Sequence, residues 1–193
     1  MSNRKNGIIN MKTIINPSKK DWASILTRPT KTVEDIEETV TKIFNDIQKN
    51  KEQAVNKYTE LFDGVKIKNS IVSEEEIKEA SALVPEKLRD AIQLAKRNIH
   101  KFHEAQQTST VFVETTQGVS CWQEKRPIQK VGLYIPGGTA PLFSTVLMLA
   151  VPAQIAGCKE IVLCSPPNKE GKIHPAILYA ATLFGVTKII KVG

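Results

Sequence analysis

Apolar residues recur at helical spacing between Asp21 and about Gln107. In two long stretches, 33–47 and 88–102, most apolar residues are followed by the next three or four positions later, with charged residues between them. Such spacing places one apolar stripe along an amphipathic helix. Residues 11–107 are therefore predicted to form a helical amino-terminal arm.

Local signals indicate where these helices begin and end. Thr30 or Thr32 can cap the second helix, and Ser73 opens a Ser-x-x-Glu capping box. Pro85 suits the first turn of the long helix that follows. Asp63-Gly64 is expected to end the helix before the capping box.

The pattern changes to alternation with period two at residues 108–129. Polar and apolar residues alternate on both sides of Gln117-Gly118, a dipeptide suited to a tight turn. This segment is predicted to be a β-hairpin that connects two layers.

From residue 130 onwards, short apolar runs alternate with helical stretches. Strands are predicted at 131–135, 161–164 and 188–192, and helices from about Pro141 or Ser144 to Ala156 and from Pro175 to Phe184. Apolar strands separated by helices are typical of a parallel sheet with helices on both faces and right-handed crossovers. The predicted fold class is α/β, with the helical arm and the hairpin followed by an incomplete Rossmann-like sheet at 130–193.

The two ends of the sequence carry separate expectations. Residues 1–10 are polar and are expected to be a flexible leader, with Met11 as a second possible start. Gly193 directly follows a strand, where a doubly wound sheet would continue into a covering helix. We therefore expect a fragment of a longer polypeptide; the alternative is that the last strand forms a sheet edge.

Composition and charge argue against several classes of protein: disulfide-stabilised, membrane-spanning and nucleic-acid-binding. With 193 residues, 41% of them hydrophobic, the chain can bury a core without disulfides. The longest apolar run, Val146 to Val151, is too short to cross a membrane. Three cysteines without a CxxC motif favour neither a disulfide framework nor a zinc knuckle, so a cytoplasmic location is expected. The net charge of +7 is dispersed among acids, which disfavours nucleic acid as a partner.

The segment Tyr134 to Thr145 follows a strand and opens a helix, which is where open α/β sheets bind ligands. Gly137 and Gly138 permit positive φ and close approach of the backbone to a ligand. The segment matches neither the dinucleotide fingerprint nor the P-loop, and the second strand ends in Cys-Ser-Pro-Pro (164–167) rather than in an acid that could hold a ribose. A ligand loop and a structural turn both remain open from these residues alone.

The histidines offer weaker candidates. His100 and His103 could share one helix face, but no third metal ligand has a suitable context. His174 precedes a helix start, where a capping or surface role is expected. No general base with an activating partner is recognisable, so we assign no catalytic or metal-binding residue.

Three segments of the sequence resemble those of a known protein family. RPIQKVGLYIPGGTAPLFSTVLMLAVPAQIAGC at 126–158, IVLCSPP at 161–167 and ILYAA at 177–181 resemble histidinol dehydrogenase, and YTELFD at 58–63 is compatible with it. The resemblance implies a zinc-dependent homodimer that oxidises L-histidinol through histidinal to L-histidine with two NAD molecules. It places the catalytic Glu–His pair and the zinc ligands beyond residue 193, so this chain alone is expected to be inactive.

The resemblance also implies which residues contact the cofactor. Tyr134 matches the family's NAD-contacting tyrosine, and Pro136, Gly137 and Gly138 flank it. Residues 130–193 would then form the first half of an NAD-binding domain. The alternative is a stand-alone nucleotide-binding or interaction module, based on the glycine loop and on an exposed edge of the final strand.

Overall fold

The computed structural model describes residues 13–27, 33–138 and 140–193. A 3-10 turn at Lys19–Asp21 precedes seven helices in these residues: α1 (Trp22–Leu26), α2 (Val33–Asn50), α3 (Glu52–Phe62), α4 (Glu74–Ala82), α5 (Glu86–Glu104), α6 (Phe143–Ala156) and α7 (Pro175–Thr182). The strands are β1 (Phe112–Thr116), β2 (Val119–Trp122), β3 (Lys130–Tyr134), β4 (Glu160–Ser165) and β5 (Lys188–Lys191). None of the helices in these ranges is long and apolar enough to cross a membrane.

The chain divides into two compact units between Asn45 and Asp46. The first unit contains α1 and most of α2, and its large apolar side chains Trp22, Leu26 and Phe44 are exposed. The second unit holds the remaining helices, all strands and the hydrophobic core.

The helical arm is confirmed, with α1 to α5 in the predicted region. At α4, the Ser73 hydroxyl accepts from the Glu76 N–H and the Glu76 carboxylate accepts from the Ser73 N–H, so the capping box is present. Pro85 differs from the prediction: its ψ of 144° is extended, so it is the residue before α5 rather than part of the first turn. Thr30 and Thr32 lie outside the described residues.

The predicted hairpin is confirmed as an antiparallel pair, with Phe112 opposite Trp122. Gly118 has a φ of +80° in the turn, and its N–H donates to the Glu114 carboxylate at 2.8 Å. Every residue of both strands is exposed. The hairpin therefore contributes little to the hydrophobic core of the second unit.

The three remaining strands form a parallel sheet in the order β3-β4-β5. Leu133, Leu163 and Ile189 lie side by side on one face and are buried against side chains of α6 and α7. On the opposite face Tyr134 is exposed and Cys164 is half-buried. Within the described residues, the predicted helical cover therefore holds for one face only.

The outer edge of β5 is covered by the segment that precedes α4. Ile71 forms an antiparallel bridge with Ile190, the Val72 N–H donates to the Ile189 carbonyl, and the Lys191 N–H donates to the Ser70 carbonyl. The prediction of an exposed final edge is therefore wrong. It failed because this short segment has no periodic pattern of its own.

A partly buried ion pair reinforces the same junction. The Lys191 ammonium donates to both oxygens of the Glu76 carboxylate, at 2.7 and 2.9 Å, while only 9% of the lysine side chain is exposed. Since Glu76 belongs to the capping box, the first turn of α4 is tied to the carboxyl end of β5.

Candidate functional site

A cleft of about 710 Å³ opens at the carboxyl ends of the three parallel strands. Its walls are the loop between β3 and α6, the loop between β4 and α7, the end of α3 and residue Gly193. In an open parallel sheet this is the position where ligands bind. The cleft is therefore the candidate functional site.

The first wall begins where β3 leaves the sheet. The N–H of Ile135 still donates to the Cys164 carbonyl at 2.8 Å, and its side chain is fully buried. Tyr134, next to it, is 53% exposed and lines the cleft. Anchoring Ile135 in the core thus fixes the direction in which Tyr134 and the following Pro136 face the cleft.

Glycine is required at two positions of this loop for different structural reasons. A Cβ atom on Gly137 would lie 2.5 Å from Cγ of Pro166, so only glycine fits between the two walls without a shift. Gly138 has open space around it but a φ of +152°, which side-chain-bearing residues rarely adopt. Thr139 lies outside the described residues.

The second wall is a compact turn that carries positive charge. The Asn168 side-chain oxygen accepts from the backbone N–H groups of Glu170 and Lys172, at 3.0 and 2.9 Å. This local hydrogen bonding holds the turn that presents Lys169 and Lys172 to the cleft. Phosphate groups are common partners of such ammonium groups.

His174 closes this wall at the start of α7. Its Nδ1 accepts from the Ala176 N–H at 3.2 Å, so the expected capping role is confirmed. A neutral imidazole that accepts through Nδ1 carries its hydrogen on Nε2 and can donate from there. His174 also lines the cleft, so this donor lies at the candidate site.

Asp63, at the end of α3, contributes a carboxylate that sequence reasoning missed. It is half-buried, and burial raises the pKa of its carboxyl. Its oxygens lie 2.8 and 3.0 Å from the point where a Cβ on Gly193 would stand. The sequence identified Asp63-Gly64 only as a helix end, because nothing local relates it to a loop some seventy residues later.

The four residues expected to contact the cofactor lie on one loop, and all of them line this cleft: Tyr134, Pro136, Gly137 and Gly138. The two other histidines lie on α5 and have local partners instead: the His103 Nδ1 is 2.7 Å from Gln106 Oε1, and the His100 Nδ1 is 3.7 Å from Glu104 Oε2. Among the described residues, no group of three or more His, Cys, Asp or Glu side chains could hold a metal ion.

The arrangement suits binding rather than bond making. Two lysines, one carboxylate, a histidine donor and a glycine loop surround a cleft of the size that small-molecule ligands occupy. These groups match a ligand that carries both phosphates and hydroxyls. No nucleophile paired with a base lines the cleft in the described part of the chain.

Helical crossovers, a parallel sheet and a cleft at its carboxyl end place the second unit among α/β proteins with a Rossmann-like sheet. The model of the histidinol dehydrogenase family matches residues 26–193, and the chain belongs to that family.

Named relatives agree with this assignment. The chain is 55% identical to histidinol dehydrogenase of Bacteroides thetaiotaomicron over an alignment of 183 residues. This alignment covers 95% of this chain and 43% of the relative. The chain is 50% identical over 186 residues to histidinol dehydrogenase of Mannheimia succiniciproducens, covering 95% and 42%. The crystal structure of histidinol dehydrogenase from Elizabethkingia anophelis superposes with a TM-score of 0.85 at 50% identity, covering 95% of this chain and 42% of that one. The chain thus spans less than half the length of these relatives.

Proposed function

We propose that this chain supplies the NAD-binding side of a histidinol dehydrogenase, which oxidises L-histidinol through histidinal to L-histidine. The observation that supports this most is that the loop carrying Tyr134, Pro136, Gly137 and Gly138 lines a cleft at the carboxyl ends of the parallel strands. It occurs in a chain that is 55% identical to a named histidinol dehydrogenase.

The cleft fits the cofactor by its chemistry. Gly138 has no atom within 4 Å of the point where a Cβ would stand, which leaves room for its backbone to approach a phosphate. Lys169 and Lys172 add positive charge for the two phosphates of a dinucleotide. NAD, when bound, would accept the hydride that leaves the alcohol and, in the second oxidation, the hydride that leaves the aldehyde after water has added to it. The chain's own part is to bind and orient NAD through Tyr134 and the loop that follows.

The residues described here do not fit zinc, because none of them form a group of three or more suitable ligands. We propose that the zinc ligands, like the acid–base pair, belong to the remainder of the enzyme. The 193-residue chain alone is therefore expected not to oxidise histidinol. A cytoplasmic homodimer is the assembly we propose for the whole enzyme.

A chimera tests this function directly. In the Bacteroides thetaiotaomicron relative, the segment that matches this chain is replaced by residues 11–193, and NADH formation from L-histidinol is measured with zinc present. We expect activity within about tenfold of the parent enzyme. A folded, zinc-loaded chimera that forms no NADH would refute the proposal.

Two variants of the chimera separate cofactor binding from folding. Tyr134→Ala is expected to raise the KM for NAD, because it removes a ring that lines the cleft. Phe112→Ala, in the exposed β1 strand away from the cleft, serves as the matched control and should leave the KM for NAD unchanged. Equal effects of the two substitutions would contradict the assignment of the cleft.

A further inference from the structure

An acidic residue for the ribose is missing from the place where Rossmann-like domains usually carry it. In that arrangement the loop after the first strand binds the pyrophosphate, and an acid at the end of the second strand binds the 2′-hydroxyl of the adenosine ribose. Here the second strand, β4, ends at Ser165 and continues into Pro166 and Pro167. Neither proline can accept a hydrogen bond through its side chain.

The structure brings a carboxylate to this place from another element. Gly193 follows β5 by two residues, and a Cβ on it would lie 3.1 Å from Cβ of Pro166 and 2.8 Å from Oδ1 of Asp63. The Asp63 carboxylate therefore stands beside the carboxyl ends of both β4 and β5. The glycine loop that would bind the pyrophosphate forms the neighbouring wall of the same cleft.

Within the described residues, the Asp63 carboxylate has neither a salt bridge nor a side-chain hydrogen-bond partner. The ammonium of Lys169 lies near the residue that follows Asp63: it is 3.3 Å from the point where a Cβ on Gly64 would stand. A half-buried carboxylate with open acceptor positions, facing a cleft, is suited to hydroxyl donors from a ligand.

We propose that Asp63 accepts a hydrogen bond from the 2′-hydroxyl of the adenosine ribose and thereby selects NAD over NADP. This inference rests on the proposed function, because it concerns the same cleft. A 2′-phosphate would bring negative charge against the carboxylate, which disfavours NADP. Removing the carboxylate would leave Lys169 as the nearby charge and would reverse part of that preference.

The isosteric substitution Asp63→Asn in the chimera tests the inference. We expect the KM for NAD to rise about tenfold, with kcat nearly unchanged, because a neutral amide oxygen accepts a weaker hydrogen bond than a carboxylate. The ratio of kcat/KM for NADP to that for NAD should rise at least tenfold. Glu60→Gln is the control: it lies on the same helix, its side chain is 52% exposed and it pairs with Lys66 outside the cleft.

The outcomes separate the two proposals. If Tyr134→Ala raises the KM for NAD but Asp63→Asn changes neither that KM nor the NADP to NAD ratio, the cleft is correct and the role of Asp63 is wrong. A chimera without histidinol oxidation overturns the proposed function and this inference with it.

A measurement on the 193-residue chain itself does not depend on the chimera. Ligand-observed NMR with AMP and 2′-deoxy-AMP compares the same adenosine with and without the hydroxyl. We expect stronger binding of AMP, and the difference should become smaller in Asp63→Asn but stay unchanged in Glu60→Gln. Equal binding of the two probes to the unaltered chain would contradict the inference.

Discussion

Replacing Gly137 by alanine tests whether the two walls of the cleft are in contact. The added Cβ would lie 2.5 Å from Cγ of Pro166, whereas carbon atoms in contact prefer 3.5–4.0 Å. The walls must therefore separate by roughly 1 Å. The proline ring cannot rotate away, so the backbone of one loop has to move. We expect a loss of about 1–3 kcal/mol of unfolding free energy, typical of an extra carbon forced into a packed contact.

Gly132→Ala is the matched control for this experiment. Gly132 is exposed in β3, and a Cβ placed on it would meet no atom within 4 Å. Its effect should stay within about 0.5 kcal/mol. Urea unfolding of both variants measures the difference, with an expected fall in midpoint of about 1 M for Gly137→Ala alone. Equal midpoints for the two variants would refute the contact between the walls.

Three further predictions concern the second unit, and urea unfolding or circular dichroism measures each. Lys191→Met should lower the free energy of unfolding by about 2 kcal/mol, because it leaves the partly buried Glu76 carboxylate unpaired. Lys42→Met, in a pair whose lysine side chain is 72% exposed, should lower it by less than about 0.5 kcal/mol. Equal losses in the two variants would contradict the value given for Lys191. Ser73→Ala should lower the free energy of unfolding by about 1 kcal/mol, because it removes the N-cap of α4. An unchanged free energy of unfolding would show that the cap does not stabilise the protein. Hydrogen bonds to its carboxylate, of which the one from Lys57 has the largest effect, lower the pKa of Asp46 from 3.8 to about 2. The ionised carboxylate therefore stabilises the fold fully above pH 3.8, and this stabilisation is lost as the pH falls towards 2. Asp46→Asn should remove this part of the acid sensitivity; an unchanged acid profile would rule it out.

The sequence predicted those elements whose patterns are local. The spacing within α2 and α5, the capping box at Ser73 and the turn at Gly118 each depend on neighbours only a few positions apart. The parallel sheet followed from apolar runs separated by helices. The start of α5 was predicted one residue too early, because Pro85 lies just outside the helix that it was expected to begin.

Features that depend on contacts between distant segments could not be read in this way. The cover of the β5 edge by residues 70–72 involves three residues without periodicity. The place of Asp63 in the cleft depends on how α3 packs beside the ends of β4 and β5. Tyr134 and the two glycines were identified through their position after a strand and through the family resemblance. The Gly137–Pro166 contact explains physically why one of those glycines is required.

The tie between Glu76 and Lys191 spans 115 positions of the chain and has a consequence during synthesis. A ribosome adds about 5–20 residues per second, so the start of α4 waits roughly 6–23 s for the strand that it contacts. For most of that interval the apolar side chains of α4 and α5 lack the helices that they contact, α7 and α6 respectively. The nascent arm is thus exposed to aggregation and to chaperone capture until those two helices emerge.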